Sequence, residues 1–292
     1  MVELVDTLDL ESSPYCRGES SSLSVGILLI IFVKKYLFLL SGQLQILLEY
    51  RWEFLIYPIY RFIQMFIYFT LWKLTTSGDI EQERRLFLYY FLIFMIFHSI
   101  HSGKSAKLMS DAISKGELNQ FLTKPINFIF VKTIESFAYI VSRVVFVFVI
   151  LIVGIIIIPS VFAPYSFSSF VFFIIFAFVA ILLWNLLNIL IGLLSFWVLE
   201  IDAFSTVLDL VLNLFKGAWI PFYLFPDFLR EILKFTPIPY IAAWPIEIYQ
   251  NGIDVDQALL AIGVCMFWMT LGGLIANILY RRGLIHYEGY GG

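Results

Sequence analysis

Charge is the scarcest commodity in this chain of 292 residues. Only 14 % are Asp, Glu, Lys or Arg, against about 25 % in soluble domains. Hydrophobic residues reach 61 % and mean hydropathy is +0.90, so a water-soluble fold would lack the polar residues to cover its surface. The net charge of −3, with no basic run longer than a pair, gives no footing for a nucleic-acid partner. Cys16 and Cys265 are the only cysteines and form no CxxC, which excludes a disulfide framework and a cysteine metal knuckle. No internal repeat is visible, so inverted-repeat transporter architectures gain no support. What remains is an all-α polytopic membrane protein.

One long polar stretch interrupts the apolar runs: GKSAKLMSDAISKGELNQFLTKPIN, Gly103 to Asn127. Leu108, Met109, Ala112 and Ile113 form one short stripe at helical spacing, and Leu118, Phe121 and Leu122 a second. Gly116 lies between them, where a helix can end in a left-handed turn, and Pro125 forbids continuation past Lys124. The pattern predicts two small amphipathic helices, basic and water-facing, at the base of a membrane domain, and makes the loop a docking surface for a soluble partner.

The chain before this region divides into two parts. Residues 1–32 carry no helical or strand periodicity, and their apolar run, Val25 to Val33, is too short to span a bilayer. The phrase VELVDTLDL resembles an in-frame translation of a bacterial leucine tRNA gene. Residues 1–32 are therefore expected to be a non-native extension from a misplaced start, the alternative being a disordered cytosolic tail. Residues 33–292 form the membrane domain. Ser41, Gln45 and Glu49 share one helical face opposite leucines, which predicts a helix in the membrane interface anchored by Lys34, Lys35 and Trp52.

Six spans follow: Phe54 to Lys73, Leu86 to Ile100, Phe128 to Ile158, Ser168 to Leu199, Phe204 to Phe225 and Gln257 to Tyr280. A polar loop, Leu74 to Arg85, separates the first two, and Arg281 to Gly292 is a tail. Between the last two spans Pro221, Pro226, Pro237, Pro239 and Pro245 rule out a straight helix. That region reads as two broken half-helices, with Asp227 and Glu231 pairing against Arg230 and Lys234.

Lys and Arg set the orientation. Lys34, Lys35, Arg51, Lys104, Lys107, Lys115, Lys124, Lys132, Arg281 and Arg282 fall on one side, and Lys73, Arg84, Arg85, Arg230 and Lys234 on the other. Ten against five places both termini and the polar elbow in the cytosol.

The layout resembles the six-span permease of ABC type 2 exporters, in particular a poorly characterised bacterial subfamily. The likeness covers roughly Lys34 to Gly292. It rests on the interfacial helix, SKGELNQFLTKPIN in the elbow, FPDFLREILKFTPIPYIAAWPIEIY in the outer region and the closing RRGLIHYEGYGG. The resemblance implies a dimer of permease chains, alike or unlike, in the bacterial inner membrane, exporting an unidentified substrate. It implies too that two cytosolic ABC ATPase subunits hold the ATP and Mg, this chain binding no cofactor, and that the first and fifth spans form the dimer contact. The segment from Lys107 to Lys124 then contains the coupling helix, with Leu108, Met109, Asp111, Ile113, Gly116 and Glu117 as expected contacts. A membrane-embedded enzyme and a non-catalytic membrane scaffold stay open as alternatives, although no catalytic constellation is visible.

Gly103, Lys104 and Ser105 imitate the close of a P-loop, but position 98 is His98 rather than glycine and an apolar helix precedes it. His98 and His101 lack the partners of a metal site and are expected at a helix end. Within the spans each charge costs about 2.5–3.5 kcal/mol near mid-bilayer, so it needs a partner or a wet cavity. Arg61, Gln64, Asn185, Asn188, Asp209, Asn213 and Lys216 form the candidate seam for helix packing or translocation. Glu135 and Arg143 are too far apart to pair within their helix and are expected to meet other helices or headgroups. Glu247 is expected to hold the outer half-helix turn.

Overall fold

The computed structural model describes residues 51–76, 78–97, 105–123, 127–198 and 201–287, and among these every regular element is helical. The extension of residues 1–32, the interfacial helix and the His98–His101 pair lie outside the described residues.

Helix α1, Arg51–Lys73, is answered by α2, Ile80–Phe91, which continues into a π-helical turn, Leu92–Phe97. The second helix begins six residues before the expected Leu86. Asp79 caps it by accepting from the amide of Glu81 at 2.9 Å, and Glu81 and Glu83 lie in its first turn, where helix-dipole and cap favour acidic groups. Arg84 and Arg85 are therefore helical, and Lys73 at the end of α1 closes the turn through Glu83 at 2.8 Å.

The elbow forms as two helices, α3 (Ser105–Ser114) and α4 (Asn119–Leu122). Gly116 joins them at φ +76°, and the amide of Leu118 reaches back to the Ala112 carbonyl at 3.0 Å, which satisfies an orphan carbonyl at the helix end. Helix α5, Phe128–Ile157, starts where Asn127 accepts from the Phe130 amide at 3.1 Å. A single turn, α6 (Pro159–Phe162), follows.

Helix α7, Phe167–Leu193, capped by Ser166 and closed by a 3-10 turn over Leu194–Phe196, is the element the others surround. It packs against α3 of the elbow, against α10 (Ala243–Asn251) of the outer region and against the terminal α11 (Val255–His286). Small residues permit the closest of these approaches. A Cβ added at Gly272 would lie 2.5 Å from Leu186 Cδ2, and one at Gly283 would lie 2.2 Å from the Phe196 ring. Helix α11 runs on through Arg281 and Arg282, so part of the expected tail is helical.

Helix α8, Ile201–Phe215, departs most from expectation. Its 15 residues span roughly 22 Å, short of a hydrocarbon core of about 30 Å. The chain instead leaves the helix at Gly217, φ +88°, and three aromatic side chains hold the turn that follows. Tyr89 Oη donates to the Gly217 carbonyl at 2.8 Å and accepts from the Phe222 amide at 3.3 Å. Tyr90 Oη and Trp72 Nε1 both donate to the Trp219 carbonyl, at 3.1 and 2.8 Å. A Cβ at Gly217 would collide with the Tyr89 hydroxyl at 2.4 Å, so glycine is required there twice over.

The proline-rich region is broken as expected, into α9 (Asp227–Leu233) and α10. Arg230 pairs with Asp227, and Lys234 with Glu231 at 2.6 Å. The Tyr249 hydroxyl donates to the Phe162 carbonyl at 2.5 Å, tying α10 to the end of α5 and α6.

Among the described residues two helices, Phe167–Phe196 and Val255–His286, are long and apolar enough to cross a membrane by length and composition. Large apolar side chains stand exposed along α1, including Ile56, Ile63, Ile67 and Leu71, and along α11, including Leu259, Phe267 and Ile278.

Candidate functional site

Two places gather the residues singled out by the sequence: the elbow, and a cavity among α1, α7 and α8.

At the elbow, the apolar stripe of α3 faces inward. Met109, Ala112, Ile113 and Leu118 are buried against Phe128 of α5, Ile189 and Leu193 of α7 and Ala276 of α11. A Cβ at Gly192 would lie 2.6 Å from the Met109 Cβ and 2.9 Å from the Ala106 carbonyl, so α3 rests directly on the backbone of α7. Met109 (0 % exposed) and Ile113 (5 %) consequently present almost no surface to a partner. They hold the elbow in place. Of the expected contacts, Leu108, Asp111 and Gly116 are half-buried and Glu117 is exposed, and these four form the outer rim.

Ion pairs fasten that rim to the body. Lys132 of α5 lies 3.8 Å from Glu117 and 3.0 Å from Glu135, and its ammonium sits 5.6 Å from the Phe121 ring centroid. Glu135 thus pairs one turn back along its own helix, where another helix or a headgroup was expected; the Arg143 side chain lies outside the described residues. Lys115 pairs with Asp111 at 3.3 Å, and Lys107 approaches Asp202 of α8 at 3.9 Å.

The described members of the two charge sets occupy opposite ends of the bundle. Lys107, Lys115, Lys132 and the Arg281–Arg282 pair lie around the elbow, where α3, the start of α5 and the ends of α7 and α11 meet. Arg84 donates to the Ser160 carbonyl and Arg85 reaches Asn251 at the other end, with Glu81 bridging both arginines. Those two guanidiniums, by hydrogen bond and charge, hold the Glu81 carboxyl down to about 2.

Five of the seven seam residues come together around a cavity of about 350 Å³. Arg61 and Gln64 enter from α1, Asp209 and Asn213 from α8, and Lys216 from the turn that follows. Arg61 Nη1 donates to Gln64 Oε1 at 2.7 Å, and Gln64 Nε2 donates to the Tyr60 hydroxyl at 2.9 Å. Lys216 is 2 % exposed, with its ammonium 4.7 Å from the Trp184 ring centroid. The spacing of Asp209, Asn213 and Lys216 put them on one stripe; the termination of α8 at Phe215 turns Lys216 inward beneath α7.

Asn185 and Asn188 do not join them. Both are buried, and their amides donate to carbonyls four residues back on α7, Ile181 at 3.2 Å and Trp184 at 2.9 Å. Aromatic walls complete the cavity: Tyr68, on the stripe of Arg61 and Gln64, and Phe94, Trp184 and Trp219, which the sequence did not single out. The one signal for the others was Trp184, the single tryptophan of α7, next to Asn185. Phe94 stands in the π-helical turn of α2, an irregularity that recurs at functional sites.

Glu247 of α10 is half-buried. No group of three or more His, Cys, Asp or Glu that would hold a metal occurs among the described residues.

A family model described as ABC-2 family transporter protein matches residues 55–291. A search of curated proteins returns no match.

Proposed function

From the premise that this chain belongs to the ABC-2 family of transporter proteins, we propose that it is the membrane-spanning permease subunit of an ATP-driven exporter, its fifth span completed by α8 and the turn that follows it. Hydrolysis takes place on a separate cytosolic ABC ATPase subunit, and a second permease chain completes the membrane domain. Both termini and the elbow face the cytosol of a bacterial inner-membrane protein. Leu108, Asp111, Gly116 and Glu117 form the rim that the ATPase groove receives.

The observation that carries the reading is the way α3 is mounted. A helix whose apolar face is buried against α5, α7 and α11, and whose polar rim is left outward, behaves as a rigid handle. Displacement of such a handle moves the helix ends beneath it as one body, because packed interfaces shift between discrete arrangements rather than deforming smoothly. The segregation of the described basic residues between the two ends of the bundle supports the sidedness.

The reading is tested by co-expressing the chain with the P-loop ATPase of a neighbouring gene and purifying through a tag on the permease. A stable complex whose hydrolysis exceeds that of the ATPase alone is expected. Absence of any complex with such candidate ATPases would overturn it.

A further inference from the structure

We infer that helix α8 is the lever that carries displacement of the elbow to the cavity wall, with Ile201 as the residue that positions it. The inference rests on the permease reading for the source of the displacement; the linkage itself rests on how α8 is packed.

The first observation is where α8 is held. Ile201, its first residue, is 3 % exposed and is the single buried residue of the helix. It packs in one apolar cluster with Ala106 of α3 and Ile191 of α7, against which Leu194 and Leu208 also rest. Lys107 of α3 adds an ion pair to Asp202 at 3.9 Å, with both side chains exposed. An exposed pair contributes little, so the apolar seat of Ile201 is what joins the two helices.

The second is a contrast in bracing. Ala106 is also where the elbow rests on α7, its carbonyl 2.9 Å from a Cβ placed at Gly192. A push on α3 therefore meets α7 and α8 at one point. Helix α7 is braced further along by α10 and α11, whereas α8 packs chiefly on α3 and α7. The less braced helix yields, because close-packed contacts transmit strain instead of absorbing it.

The third is what the far end of α8 carries. Asp209 and Asn213 line the cavity from α8, and Lys216 follows on the turn, with Arg61 and Gln64 entering from α1. Asn213 lies about 18 Å along the helix from Ile201. No glycine or proline interrupts residues 201–216, so nothing in that length supplies a kink. A shift at the foot of α8 consequently reaches the lining and changes its separation from α1.

The test follows amide hydrogen exchange in the full-length chain bound to the co-expressed ATPase, nucleotide-free and trapped with ATP and vanadate. Exchange across residues 209–222 is expected to differ about fivefold between the two states, with residues 258–276 of α11 unchanged. In Ile201→Ala the difference is expected to vanish while the ATPase still co-purifies, and in Ile201→Val to remain. A second arm needs no ATPase. Gly192→Ala, which displaces the elbow from α7, is expected to change exchange across residues 209–222 in the chain alone, and adding Ile201→Ala to cancel that change.

Persistence of the difference in Ile201→Ala, or an equal difference in α11, would overturn the lever. So would a hydrolysing wild-type complex with no change across residues 209–222. Should Ile201→Ala fail to fold, Asp202→Lys at its exposed position decides: a reduced response restored by Lys107→Asp sustains the lever, and an unreduced one overturns it. Absence of a complex would count against the permease reading, and the Gly192→Ala arm, read with Asp202→Lys where needed, then decides the lever by itself.

Discussion

Gly192 on α7 and Met109 on α3 lie in such close contact that a Cβ added to the glycine would sit 2.6 Å from the Cβ of the methionine. The elbow is thus seated on the backbone of the central helix, and Gly192→Ala must push it away or bend it. Overpacking of this kind costs about 1–3 kcal/mol, and the nearby Ala106 carbonyl at 2.9 Å leaves little room to yield. A lower thermal-unfolding midpoint is expected, together with weaker stimulation of ATP hydrolysis. Unchanged stability would mean that α3 is not seated on α7.

Tyr89 provides a second test. Its hydroxyl serves the Gly217 carbonyl and the Phe222 amide while wholly buried. Tyr89→Phe leaves two buried backbone groups unpaired, at a cost of about 1–3 kcal/mol. Hydrogen exchange should accelerate across residues 217–222, with α3 and α4 unaffected. Equal protection in variant and wild type would contradict the assignment of this tyrosine as the anchor of the turn.

Glu81 makes the end of the bundle away from the elbow pH-sensitive. Its carboxyl is held at about 2 by Arg84 and Arg85, below the ordinary carboxylate value of 4.5. Because the folded-state pKa is the lower one, the contribution is fully present above the unfolded pKa and fades as pH falls toward 2. The difference in unfolding midpoint between wild type and Glu81→Gln should therefore shrink on acidification through that window. A difference independent of pH would show that the ion pairs contribute nothing.

Much of this architecture was legible in the sequence because long apolar runs leave few alternatives. The start of α5 at Phe128, the Gly116 turn and the broken outer helices all followed from hydropathy, glycine and proline. The early start of α2 was carried by Asp79, Glu81 and Glu83, an N-terminal signal outweighed by their polarity. The end of α8 was obscured because the helical stripe of Asp209, Asn213 and Lys216 continues past Phe215. Gly217 ends the helix locally, with the Ala218 amide reaching back to the Asn213 carbonyl at 3.0 Å, and hydrogen bonds from Tyr89, Tyr90 and Trp72 hold the turn beyond it.

The elbow illustrates a different limit. Periodicity establishes that one face of α3 is buried, but not against what. Met109 and Ile113 were expected at a partner's surface and lie instead on α7 and α5. The cavity was half legible: its polar residues stand out in apolar spans, whereas its aromatic walls are indistinguishable from ordinary core until helices are placed side by side.

The most direct test of the account compares charge reversal at the two ends of the bundle. Asp111→Lys with Glu117→Lys alters the elbow rim, and Asp227→Lys with Glu231→Lys alters the exposed outer helix α9. Co-purification with the ATPase should be lost in the first pair and kept in the second. An ATPase that stays bound to the elbow variant, or leaves with the outer one, would contradict the account.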